Sequence, residues 1–152
     1  MLTWYADEEV VIKFSQEPDI VVLYAKPNSN KREKDKIHKK PFLLKNKVDV
    51  VLLDLIACEE YKFEIPNNYN WDGATIPNFF SRIIGAKTDN KFLIASMVHD
   101  VLCENHDYIN NDRYFSTIVF ERLLYASGVG AFKRWLMKHS VDNFQKFCGW
   151  EN

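Results

Sequence analysis

The apolar residues of this 152-residue chain change period once, and that change limits the folds open to it. Up to Ile65 the apolar runs are short, β-branched and aromatic. Glu9–Phe14 and Ile20–Tyr24 flank the turn-forming Ser15–Asp19, and Glu60–Ile65 alternates polar and apolar residues until Pro66 ends it. Period two with turn punctuation reads as strands. Val48–Ile56 fits either a buried strand or a short helix. From Pro77 onward the spacing is helical: Pro77–Ile84 stopped by Gly85, Lys91–Glu104 behind Thr88-Asp89-Asn90, Arg113–Ala126 behind Asn110-Asn111-Asp112 and ended by Gly128, and Ala131–Phe147. The last places Phe132, Trp135, Leu136, Phe144 and Phe147 at mostly helical steps. Strands followed by about four helices predict an α+β fold, the helices packed on or beside an antiparallel sheet.

Size and composition fit a single domain over 1–152, mainly strands in 1–66 and mainly helical in 67–152. With 47% hydrophobic and 14% aromatic residues the chain has material for a core, which excludes wholesale disorder. Twenty Lys+Arg against 21 Asp+Glu argue against a globally basic nucleic-acid binder. No apolar run reaches the roughly 18 residues of a membrane span, and the N-terminus lacks the basic and apolar regions of a signal peptide. A reducing, cytoplasmic compartment is the expected location. The three cysteines, Cys58, Cys103 and Cys148, match no zinc spacing and read as free thiols.

The charge is unevenly spread. Between Lys26 and Lys47 nine Lys/Arg face two acids. With Pro27-Asn28-Ser29-Asn30 at its head and no apolar period, this stretch reads as an exposed loop or hairpin tip. Lys31, Arg32 and Lys34 are its candidate binding residues, for a phosphate or an acidic protein. Interleaved aromatics for base stacking are missing, so a nucleic-acid partner is not expected.

Two constellations carry possible chemistry. Asn70-Trp71-Asp72-Gly73-Ala74-Thr75-Ile76-Pro77 lies where strands give way to helices, and Asp72 either caps the next element or orients a histidine or metal. Met97-Val98-His99-Asp100 lies inside an apolar helix. Neighbouring residues there point about 100° apart, so His99 and Asp100 share one cleft edge rather than one face. Such a pair supplies a general base with a carboxylate, or ligands for a divalent cation, with Asp72, His99 and Asp100 as the set. Cys103, one turn after His99, would suit zinc or a thiol–imidazole pair, but no third partner is visible in the sequence. The polar Glu104–Asp112 stretch reads as a helix connection and fails as an EF-hand, lacking its glycine and closing glutamate.

Glu64-Ile-Pro-Asn-Asn-Tyr-Asn-Trp-Asp-Gly-Ala-Thr-Ile-Pro77 resembles the pattern V-P-x-G-F-x-T-D-G-A-S-I-P, and Ala95-Ser-Met-Val-His-Asp-Val-Leu102 resembles A-A-x-x-H-D-x-L-Y. Both belong to a phage- and prophage-encoded family of unknown function, and the region around Phe132–Lys138 is similar to its basic-aromatic C-terminal helix. The resemblance runs from about Lys62 to Phe147. It implies that Asp72, Thr75, His99, Asp100 and Arg113 are the family's polar positions. The family commonly has an aspartate four residues after that arginine, where this chain has Thr117, and a tyrosine where it has Cys103. Two functions follow as expectations. One is a phage accessory hydrolase in which His99 is the general base, assisted by Asp72 and Asp100 or by a divalent metal ion. The other is a non-enzymatic virion component, or an inhibitor of a host defence, acting through a protein partner.

Overall fold

The computed structural model describes residues 1–73, 90–147 and 150, with all their side chains except those of Asn90 and Phe147. The expected helix over Pro77–Ile84, and Thr75 with it, lie outside the described residues.

Strands β1 (Leu2–Ala6), β2 (Val10–Phe14), β5 (Val48–Asp54) and β6 (Glu59–Ile65) form an antiparallel sheet in the order β1-β2-β5-β6. Register follows the alternation of the sequence. Phe14 faces Val50 and Val50 faces Phe63; Ile12 faces Leu52 and Leu52 faces Tyr61. All six are buried on one face, because a period of two sends every second side chain the same way. Val48–Asp54 is therefore a strand. A smaller sheet joins β3 (Ile20–Val22), β4 (Phe42–Leu44) and β7 (Asn70–Trp71).

The basic stretch departs from expectation. Lys31–Lys39 is a helix, α1, rather than a loop, and Pro41 leads directly into β4. Asn30 explains the difference: its side-chain oxygen accepts the Glu33 N–H at 2.9 Å, closing an N-cap, and Lys36, His38 and Lys39 sit at the negative end of the helix dipole. No residue of α1 is buried, so hydrophobic periodicity, the signal by which the other helices are read, is absent here.

Helices α2 (Asn90–Glu104) and α4 (Ala131–Phe147) both pack on α3 (Arg113–Ala126), which lies against the larger sheet together with a 3-10 turn, His106–Ile109, between α2 and α3. Tyr61 meets Phe115, and Phe63 stacks on Tyr108. Asp112 caps α3 by accepting the Phe115 N–H. Arg122 of α3 reaches the β1–β2 turn, donating to Asp7 at 2.7 Å and Glu9 at 3.0 Å. On α4 the buried stripe is Leu136, Met137, Val141 and Gln145, while Phe132, Trp135 and Phe144 are exposed. Of the apolar residues at helical steps, Leu136 is thus inside while Phe132, Trp135 and Phe144 lie outside, and a glutamine lies inside. No described helix is long and apolar enough to cross a membrane.

The two layers are tied at one polar point. The Trp71 indole N–H donates to the Ser96 hydroxyl at 3.0 Å, which donates in turn to the Leu93 carbonyl at 3.0 Å. Both side chains are buried. Ser96→Ala strands the indole N–H without water or partner. It is expected to cost about 2 kcal/mol, read as a lower urea midpoint with an unchanged m-value.

Candidate functional site

Asp72 and Asp100 meet where β7 runs past α2. Trp71 fixes the strand end through Ser96, and Asp100 lies four residues beyond Ser96, one turn along the same helix face. Gly73 completes the approach. Its φ is +93°, and a Cβ there would lie 2.6 Å from Cε2 of the buried Phe42 ring. Only a glycine lets the backbone cross that ring with its N–H directed at the Asp100 carboxyl.

The two carboxyls are hydrogen-bonded to each other, Asp72 exposed and Asp100 half-buried. Burial first, then the hydrogen bond and charge of Asp72 and the charge of Glu104, push the Asp100 carboxyl up to about 9, against the opposing Gly73 N–H. Asp100 therefore keeps its proton at neutral pH, because two carboxylates in contact cannot both ionise. Tyr69 lies beside the pair. Its hydroxyl oxygen is buried without a partner at hydrogen-bonding geometry, and burial, reinforced by Glu104, Asp100 and Asp72, raises its pKa.

His99, next to Asp100 in sequence, is held in a different environment. It is 5% exposed, and its ring nitrogens face the other way. Nε2 is 3.4 Å from Cys103 Sγ, and Nδ1 is 3.4 Å from the Gln145 side-chain nitrogen. The Phe120 ring packs at 5.2 Å. Burial pulls the imidazole down to about 4, with the Asp72 charge pulling weakly the other way, so the ring is neutral. The Asp72 charge thus acts on both Asp100 and His99, while the imidazole itself is turned toward Cys103 and Gln145. Among the described residues no three His, Cys, Asp or Glu side chains are grouped to hold a metal ion.

The remaining expected residues are elsewhere. Arg113 is largely buried and ion-paired with Asp142. Lys31, Arg32 and Lys34 are exposed on α1. Gln145 is the residue that sequence reasoning missed. A polar side chain at position 145, four residues after Val141 and eight after Met137, was the available signal.

The folded and unfolded proton affinities set a pH dependence of stability. The unfolded aspartate ionises near 3.8 while folded Asp100 holds its proton to about 9, so stability falls as pH rises through that interval. His99 acts oppositely: its stabilisation is present above 6.5 and is lost as pH falls toward 4. Between pH 6.5 and 9 Asp100 acts without His99. Urea midpoints of the wild type should decline across that window, whereas Asp100→Asn should flatten the decline and be more stable by about 2 kcal/mol at pH 8.

Residues 50–141 match the family described as "Protein of unknown function (DUF1353)". A similar curated protein is "Uncharacterized protein y4jT" of Sinorhizobium fredii (strain NBRC 101917 / NGR234), 30% identical over 93 residues that make up 56% of this chain and 27% of the relative. The chain thus spans about a quarter of that relative's length. No solved structure matches. The family match includes Asp72, Gly73, His99, Asp100 and Arg113 and stops four residues before Gln145.

Proposed function

The chain belongs to the DUF1353 family of proteins of unknown function, and from that premise we propose that it is a hydrolase whose acid–base groups are Asp72 and Asp100. One observation carries this reading: a carboxyl that retains its proton at neutral pH is hydrogen-bonded to a second, exposed carboxyl. Asp100 is the donor, able to protonate an oxygen that gains charge, and Asp72 accepts a proton from water. Carboxyls in direct hydrogen-bond contact are too close for the glycosidase arrangements, which need roughly 5–9.5 Å between them. One water shared by the pair and delivered to an ester or amide carbonyl fits this spacing better. On this reading the two carboxyls supply the acid–base groups themselves, and chelation should leave the rate unchanged. The phage setting belongs to the same proposal and is supported by the resemblance of the D-G-A-T-I-P and H-D residues.

The test is hydrolysis of a panel of fluorogenic esters and short peptides by the wild type, Asp72→Asn and Asp100→Asn. Each variant should lose about 100-fold or more in kcat/KM while keeping its circular dichroism spectrum. The wild-type profile should fall near pH 9 as Asp100 ionises. Variants that hydrolyse the panel as fast as wild type would sink the proposal.

A second reading, docking to an acidic protein through α1, is favoured by one feature: the helix is N-capped and basic yet contributes nothing to the core. Reversing Lys31, Arg32 and Lys34 to Glu should then weaken retention on an anionic resin by far more than the same three changes elsewhere on the surface.

A further inference from the structure

Helix α4 turns an aromatic face to solvent. Phe132, Trp135 and His139 are spaced by three and four residues, so they lie along one line of the helix, away from the buried Met137, Val141 and Gln145. Phe132 is 62% and Trp135 56% exposed, and their rings are nearly parallel, 15° apart, with centroids at 6.4 Å. The His139 ring meets Trp135 at 4.7 Å and is itself exposed. Large aromatic side chains held side by side in water mark a surface that something covers.

The charge of the helix indicates what. α4 carries Lys133, Arg134, Lys138 and Lys146 against one acid, Asp142. Asp142 is held by Arg113 and, at 3.2 Å, by Lys146, while Arg134 turns to Glu121 and to the Tyr125 ring. Lys133 and Lys138 therefore set the sign of the face, and it is positive. A second copy of the chain would bring the same lysines together. Beside Phe132 a cavity of about 370 Å³, lined by Lys91, Phe92, Val129, Gly130 and Lys133, continues the face past the start of the helix. Its volume falls in the range of small-ligand sites, roughly 300–1,000 Å³. The large aliphatic side chains of α4, Leu136, Met137 and Val141, are all buried. Insertion into a lipid surface needs a broad apolar face, whereas this one is narrow, aromatic and interleaved with cations.

We propose that this face of α4 binds single-stranded nucleic acid, with bases stacked on Phe132 and Trp135 and backbone phosphates on Lys133 and Lys138. Every base has a flat face, so stacking of this kind is tolerant of sequence, and the lysines follow the charged backbone. The combination of aromatic and basic residues that is missing from the Lys26–Lys47 stretch is thus present on a different helix. The net charge of −1 does not oppose it, because salt screens charges more than about 10 Å away and leaves the local lysines to act. A duplex keeps its base faces stacked inside and offers this surface only phosphates.

The test titrates a fluorescein-labelled oligothymidylate of about 20 nucleotides with the full chain, followed by anisotropy between about 50 and 200 mM salt. Binding should weaken as salt rises. Phe132→Ala and Trp135→Ala, both at exposed positions, should each weaken it at least about fivefold. Tyr114→Ala, which removes an exposed aromatic from α3, should leave it unchanged. Replacing Lys133 and Lys138 together by Gln should flatten the slope of log affinity against log salt by about 1.4. A DNA duplex of the same length should compete poorly. The proposal is overturned if the oligonucleotide fails to bind at the lowest salt, if Phe132→Ala and Trp135→Ala bind as wild type, or if the duplex competes as well as the single strand. Binding to phosphatidylserine vesicles without binding to the oligonucleotide would overturn it in favour of a membrane surface.

Discussion

The buried Trp71–Ser96 hydrogen bond is the contact on which the rest of the site depends. It joins a two-residue strand, too short to hold itself, to the middle of an apolar helix. One residue after the indole comes Asp72; one helical turn after the serine comes Asp100. The alignment of two carboxyls from distant parts of the chain thus reduces to a single donor and acceptor in a region without water, where leaving either unpaired is costly. Phe42 supports the same point from the small sheet: its ring packs against Trp71 at 5.7 Å, and only a glycine passes over it.

Helix α2 divides the polar chemistry in two. His99 and Asp100 are adjacent in sequence, and the 100° between neighbouring helical positions sends them to different environments. Asp100 reaches the protein surface beside Asp72, Glu104 and Tyr69. His99 is enclosed by Cys103, Gln145 and Phe120. Burial acts on both and displaces them in opposite senses, since it penalises an ionised acid and an ionised base alike. One becomes a protonated carboxyl at neutral pH and the other a neutral imidazole. A histidine–aspartate dipeptide therefore need not be one catalytic unit.

The fold was largely legible because its signals are local. Period two marks Glu60–Ile65, helical spacing and an aspartate cap mark Arg113–Ala126, and both elements form as the residues indicate. Asp72 and Asp100 were legible through their motifs, as members of one set with His99. The failures share a cause. Lys31–Lys39 buries nothing, so it leaves no apolar stripe and its helix is declared only by Asn30. Phe132 and Trp135 are apolar but exposed, while Gln145 is polar but buried, so hydrophobicity alone misplaces all three. The orientation of His99 depends on Gln145, 46 residues away, and no local pattern encodes a contact at that range.

Asp100 also shows a conflict between stability and arrangement. A leucine or asparagine at position 100 would avoid retaining a proton against the pull of neutral water, and the fold would be the more stable for it. The surroundings instead increase the cost: burial, the Asp72 carboxyl and the Glu104 charge all oppose ionisation, and only the Gly73 N–H relieves it. That N–H depends on a glycine at positive φ above the Phe42 ring. Structural hydrogen-bond networks place opposite charges or neutral groups together, as Arg113, Asp142 and Lys146 do on α3 and α4. A protonated carboxyl held against a carboxylate at an exposed edge has no such stabilising logic, and it is on this arrangement that the acid–base proposal rests.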